Sequence, residues 1–145
     1  MFATRKILTF DNKNKFAFIL YCAHLIVSLQ RKQKMKTMVK DTELQILSSL
    51  QSVAKRVIPK GGQVWLYGSR ARGEARPDSD WDLLILLDKE KVEYEDFGKV
   101  AYPFEMMGWN YDVGITPIIY TRKEWKERTI TPFYQNVLRD RIRIL

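Results

Sequence analysis

Residues 66–87, LYGSRARGEARPDSDWDLLILL, decide how this chain folds. They read as two strands joined by a loop. Val64, Trp65, Leu66 and Tyr67 make a short apolar run that predicts a buried strand. Gly68 stops it, and residues 68–79 have the Gly, Arg and Pro content of a loop. Residues 81–87, WDLLILL, are apolar almost without alternation, which predicts a strand buried on both faces. Asp80 and Asp82 stand two apart at its start. Side chains alternate along a strand, so both carboxylates point one way and Trp81 the other. Two parallel carboxylates raise each other's pKa unless a cation lies between them. An oxygen-only pair suits a hard cation such as Mg²⁺, which also takes phosphate oxygens.

Gly68 and Ser69 follow the first strand directly. A glycine at a strand end lets the backbone approach a ligand closely, and a serine hydroxyl with the amides after it can hold phosphate oxygens. The GxxxxGK[ST] loop is absent, and Gly68, Arg70 and Gly73 fit GxGxxG only if its second glycine is ignored. Each half of the stretch is a weak signal alone. A DxD pair is often a solvated strand end, and a Gly-Ser is often a plain turn.

Outward from this stretch, residues 39–58 carry Leu44, Ile46, Leu47, Leu50, Val53, Ala54, Val57 and Ile58 at helical spacing. Asp41 or Thr42 is the expected N-cap, and Pro59, Gly61 and Gly62 end the helix. Residues 89–107 read as helix, bent or interrupted at Pro103. Residues 110–120 form a third strand region that contains Asp112. Thr121 caps a short helix around Trp125, Thr131 and Pro132 open a final helix, and 142–145 suggest a terminal strand. Helices alternating with apolar strands predict an α/β or α+β domain with a small mixed sheet.

The 145 residues suit one domain, at 38–145, behind a different segment at 1–37. Net charge is +8, which at first suggests an anionic partner. Eight of the 25 Lys/Arg but only one of the 17 acids, Asp11, lie in residues 1–37. The remainder holds 17 bases against 16 acids, so a broad nucleic-acid surface is not expected there. Residues 16–29, FAFILYCAHLIVSL, are an apolar run shorter than the roughly 20 residues of a membrane span. Three readings stand: a stretch outside the native domain with Met35 or Met38 as the true start, a packed or interfacial helix, or a membrane or export signal. No membrane contact is expected of 38–145. Cys22 is the only cysteine and His24 the only histidine, so neither a disulfide nor a thiolate metal site is expected. A lone apolar cysteine fits a reducing cytoplasm.

Taken together, Gly68-Ser69, ten residues, then Asp80-x-Asp82 with apolar residues behind them resemble the nucleotidyltransferase signature of the polymerase β superfamily. The wording GSRARG…SDWDLLILL is similar to the minimal single-domain nucleotidyltransferases of bacteria and archaea, over residues from about 40 to 145. Pro117–Tyr120 (PIIY) and residues 132–137, PFYQNV, look like the same group. The resemblance implies the nucleotidyltransferase fold, with strand one antiparallel to strand two. Strand three is then parallel to strand two through the helical segment 89–107. It implies Mg²⁺ on Asp80, Asp82 and a third carboxylate, Asp112, on the neighbouring strand. It implies a nucleoside triphosphate, ATP, with Gly68 and Ser69 at its phosphates. Arg70 and Arg72 would neutralise the triphosphate or lie solvated in the loop. Ser79 would order the turn before Asp80 or join the nucleotide site. An acceptor hydroxyl would attack the α-phosphate and pyrophosphate would leave. So short a chain leaves no room for an acceptor domain. The resemblance points instead to a HEPN-domain partner in a toxin–antitoxin pair, with AMP passed to its tyrosine. The alternatives are a non-catalytic module that masks a partner by contact, and transfer to a small molecule such as an aminoglycoside.

Overall fold

The computed structural model describes the backbone of residues 12–145 and the side chains of residues 20–145. Arg5, Lys6 and Asp11 of the basic segment lie outside the described residues, as do the side chains of Lys13, Lys15 and residues 16–19 of the apolar run. Packing divides the chain into two units, Met1–Asp41 and Thr42–Leu145.

Helix α1 spans Asn12–Val57. The cap expected at Asp41 or Thr42 is not there, because both residues lie inside α1. No Gly or Pro interrupts residues 12–57, and Gln, Lys and Met are good helix formers, so nothing stops the helix earlier. In the first unit the described apolar residues Leu20, Tyr21, Leu25, Ile26, Val27 and Leu29 are exposed. No helix among the described residues is long and apolar enough to cross a membrane.

The second unit is an α+β domain. Strand β1 (Gln63–Tyr67) leads into helix α2 (Gly68–Arg72), and β2 (Trp81–Leu87) follows. Then come α3 (Tyr94–Asp96), a π-helical turn (Phe97–Ala101) and α4 (Tyr102–Asn110). Strand β3 (Ile115–Thr121), α5 (Arg122–Glu127), α6 (Pro132–Asp140) and β4 (Ile142–Arg143) complete it. The sheet order is β3-β2-β1-β4. β1 is antiparallel to β2 and to β4, and β2 is parallel to β3, the mixed sheet that the sequence predicts.

Helical structure between β2 and β3 begins at Tyr94 rather than Lys89. Pro103 falls in the first turn of α4, and a proline nitrogen cannot donate to the preceding turn. The wider π turn ahead of it absorbs that missing bond. Thr121 caps α5 as expected: its hydroxyl accepts from Glu124 N at 3.0 Å, while the Glu124 carboxylate accepts from Thr121 N. Thr131 caps α6 with its hydroxyl alone, accepting from Tyr134 N.

The sheet buries both faces. On one, Val64, Leu66, Trp81, Leu83, Ile85 and Leu87 pack under Ile46, Leu50 and Val53 of α1 and Phe104 and Met107 of α4. On the other, Leu84 and Leu86 pack with Trp125 of α5 and Val137 of α6, bordered by Trp65, Tyr67, Tyr120 and Phe133. This double burial explains why 81–87 lacks alternation. Leu44, expected at the core by spacing, is exposed. Leu50 is fully buried beneath the sheet. Leu50→Ala leaves a cavity there and is expected to cost about 2–5 kcal/mol of stability, read from the midpoint of urea unfolding.

Candidate active site

Asp80 and Asp82 lie on the α5–α6 face of the sheet, because alternation groups Asp82 with Leu84 and Leu86 and sends Trp81 into the opposite core. β2 is the second strand of the sheet, so both of its edges are paired. Tyr67 of β1 is opposite Asp82, and Thr116 of β3 is beside it. One step earlier, Trp81 N donates to Gly114 O at 2.9 Å, which brings Gly114 alongside Asp80.

Both carboxylates rest on glycine. A Cβ built on Gly68 would lie 2.5 Å from Asp82 Oδ2, and Gly68 has φ +76°, which a side chain rarely adopts. A Cβ on Gly114 would collide with Asp80 Oδ1. Bare backbone just after β1 and just before β3 therefore gives the pair its room. Burial and the negative charge of Asp80 raise the pKa of Asp82, and Arg72 partly offsets them. Tyr67, opposite Asp82, is pushed up to about 12 by burial, by Asp82 and by Tyr120, so its hydroxyl keeps its proton.

The turn at Gly68 and Ser69 starts α2 directly from the end of β1. Ser69 O accepts from Glu74 N at 2.9 Å and closes the turn. Of the residues expected at the site, the structure brings together Gly68, Asp80 and Asp82, with Ser69 next in the chain to Gly68. The others are held differently. Arg70 is nearly buried and is used up in the fold. Its Nε and Nη2 donate to Ser79 O at 3.0 and 2.6 Å, its Nη1 pairs with Glu43 at 3.1 Å, and its guanidinium lies 4.6 Å over the Trp81 ring. It clamps the strand entry that presents Asp80. Ser79 Oγ accepts from Arg76 N at 2.9 Å, so its hydroxyl orders the turn. Arg72 pairs with Glu74 at 2.8 Å and with Asp140 at the end of α6 at 2.5 Å. Arg139 and Arg72 hold the Asp140 carboxyl below its ordinary range.

Asp112 departs from the expected placement. It is not on a strand: it sits in the turn between α4 and β3 with φ +53°. The turn is tied to α4, with Asp112 N on Trp109 O and Val113 N on Gly108 O, and Tyr111 Oη is 2.7 Å from Ser49 Oγ of α1. Asp112 lines a groove with Glu105, Trp109, Val113, Gly114 and Ile115. Among the described residues, no three His, Cys, Asp or Glu side chains gather closely enough to hold a metal ion. The strand resumes only at Ile115 because the chain must first close the last turn of α4. Gly114, Thr116 and Tyr67 went unnoticed in the sequence, since strand register alone brings them to the pair.

Residues 44–142 match the model of the nucleotidyltransferase domain family, which is more than half of the chain. The chain belongs to that family. The nucleotidyltransferase domain has a fold similar to a toxin–antitoxin crystallised with AMP-PNP. The TM-score is 0.51 at 15% identity, over 68% of this chain and 72% of that one. A candidate nucleotidyltransferase from Sulfolobus solfataricus is also similar, with TM-score 0.45 and 21% identity, over 72% of this chain and 84% of that one. No curated protein matches the sequence.

Two measurements check this geometry. A carboxyl with a raised pKa stabilises the fold while protonated, below its ordinary range, and that contribution disappears as pH climbs through the raised value. Asp82→Asn is therefore expected to raise the Tm of the metal-free protein at neutral pH, with the gain shrinking as pH falls through the raised value of Asp82 and levelling off once pH is below the ordinary carboxylate range. A Tm difference that does not change with pH would contradict the assigned strain. Arg70→Lys loses the planar fork that spans Ser79 and Glu43, and is expected to cost about 1–3 kcal/mol in urea unfolding.

Proposed function

We propose that this domain binds ATP with Mg²⁺ and transfers AMP to a hydroxyl on a partner protein, a HEPN-type toxin, which it thereby neutralises. One observation carries the reading. The Gly68–Ser69 turn and the Asp80–Asp82 pair, ten residues apart in sequence, converge at one place, and Asp82 Oδ2 packs onto Gly68 itself. A phosphate-holding turn and a cation-holding pair thus share one small region.

The residues fit the ion. Asp80 and Asp82 offer oxygen donors only, on one face, with a repulsion that a divalent cation relieves. Bound there, Mg²⁺ would screen the phosphate charge that develops during transfer. The chain's own residues do the rest. Ser69 and the backbone at Gly68 hold the phosphates. Arg72, whose charge already reaches Asp82, adds positive potential at the mouth of the site. Arg70 and Ser79 act one step back by fixing the loop that delivers Asp80. Tyr67 closes the β1 side of the pair and donates rather than accepts. Asp112 has no part in this reading.

The fold likeness to a toxin–antitoxin crystallised with AMP-PNP supports a protein acceptor. A cytoplasmic setting accords with this role. With labelled ATP, Mg²⁺ and a co-expressed HEPN-type partner, the wild type is expected to label a partner tyrosine. Asp80→Asn and Asp82→Asn are expected to lower that rate at least about a hundredfold while remaining folded. A stable complex with no label from the wild type would return the role to masking by contact.

A further inference from the structure

We infer that this site holds one divalent cation rather than two, because the start of β3 and the residue before it meet the Asp80–Asp82 pair with Thr116 and Gly114 instead of a carboxylate. The inference rests on the nucleotide-binding reading above and sharpens it.

Two-cation phosphoryl transfer divides the work: one ion serves the phosphates and the leaving group, the other the attacking oxygen. A small, hard second ion needs further oxygen ligands of its own, normally anionic. Those must come from positions on the same sheet face beside the pair. Register defines these positions. On the β1 side they are Tyr67, opposite Asp82, and Gly68. On the β3 side they are Gly114, alongside Asp80, and Thr116, paired with Asp82. None carries a carboxylate, and β3 itself, ITPIIYT, contains no acid.

Gly114 makes the point physically. Asp80 Oδ1 occupies the space that a side chain on residue 114 would need. The room beside the pair is thus taken by one of the pair. Asp112 does not substitute for it. Its backbone is fastened to α4 through Trp109 O and its turn to α1 through Tyr111. The three aspartates form no metal-holding group among the described residues.

With one cation, this chain can position the triphosphate and assist the leaving pyrophosphate, but it supplies no carboxylate beside the pair to take the acceptor's proton. The hydroxyl's O–H bond must break to a base brought by the acceptor, as its oxygen bonds the α-phosphorus and pyrophosphate departs. Nucleotide loading and transfer therefore separate: the chain loads alone and transfers only with an acceptor that brings its own base.

The test counts ions, not turnover. The full chain is titrated with Mn²⁺ in the presence of a non-hydrolysable ATP analogue, and bound ion is measured by electron paramagnetic resonance. One Mn²⁺ per bound analogue is expected for the wild type. Asp112→Asn should also give one, since asparagine tolerates a positive φ and the fold is kept. Thr116→Asp, at an exposed position, should give two. Two ions in the wild type falling to one in Asp112→Asn would overturn the inference and leave nucleotide binding standing. One ion in Thr116→Asp would overturn the claim that β3 sets the count. No analogue bound at all would end both readings.

Discussion

β2 is paired along both edges and covered on both faces, so the two carboxylates at its start cannot move apart by shifting their backbone. Their mutual repulsion has to be accommodated by what surrounds them. The neighbouring strands give way at the required places: Gly68 ends β1 beneath Asp82, and Gly114 precedes β3 beside Asp80. Each carboxylate lies on bare backbone, and Asp82 still carries the cost of its burial and of its neighbour's charge. A rigid strand that holds two like charges ready is the arrangement that a cation rewards.

The loop ahead of β2 follows from the same constraint. Residues 73–80 have no regular backbone ladder, so their path depends on side chains. Arg70 provides most of it, with donors to Ser79 O and Pro77 O, a partner in Glu43 and a ring beneath it in Trp81. The residue that the motif offers as a phosphate ligand instead works on the protein. Arg72 is divided between α6 and the field around Asp82. Within the motif, then, two of the charged residues between the turn and the pair shape the loop.

The α5–α6 side of the sheet is filled by aromatic rings. Phe133 meets Trp125 edge-on at 5.6 Å, Tyr134 lies tilted against Trp125 at 4.8 Å, and Arg128 lies 4.4 Å over Tyr120. These rings fill the face of the sheet beyond Leu84, so the open part of that face is the end that carries Asp80, Asp82 and Thr116.

Much of this was legible in the chain itself. The period of two placed both aspartates on one face, the unbroken apolar run foretold a doubly buried strand, and Thr121 and Thr131 announced their helices. These features depend on residues near each other in sequence, and local stereochemistry governs them. The length of α1 was misjudged because a good cap matters only where a helix must start, and nothing before Asp41 forces a start. The placement of Asp112 on a strand was misjudged for a different reason. Whether Asp112, Gly114 or Thr116 lies beside the pair depends on the register between β2 and β3, which are separated by a helical crossover. One positive φ at Asp112 and the closing turn of α4 delay the strand to Ile115. A single-residue change of register moves every side chain to the other face, so only the assembled sheet could decide which residues share the site.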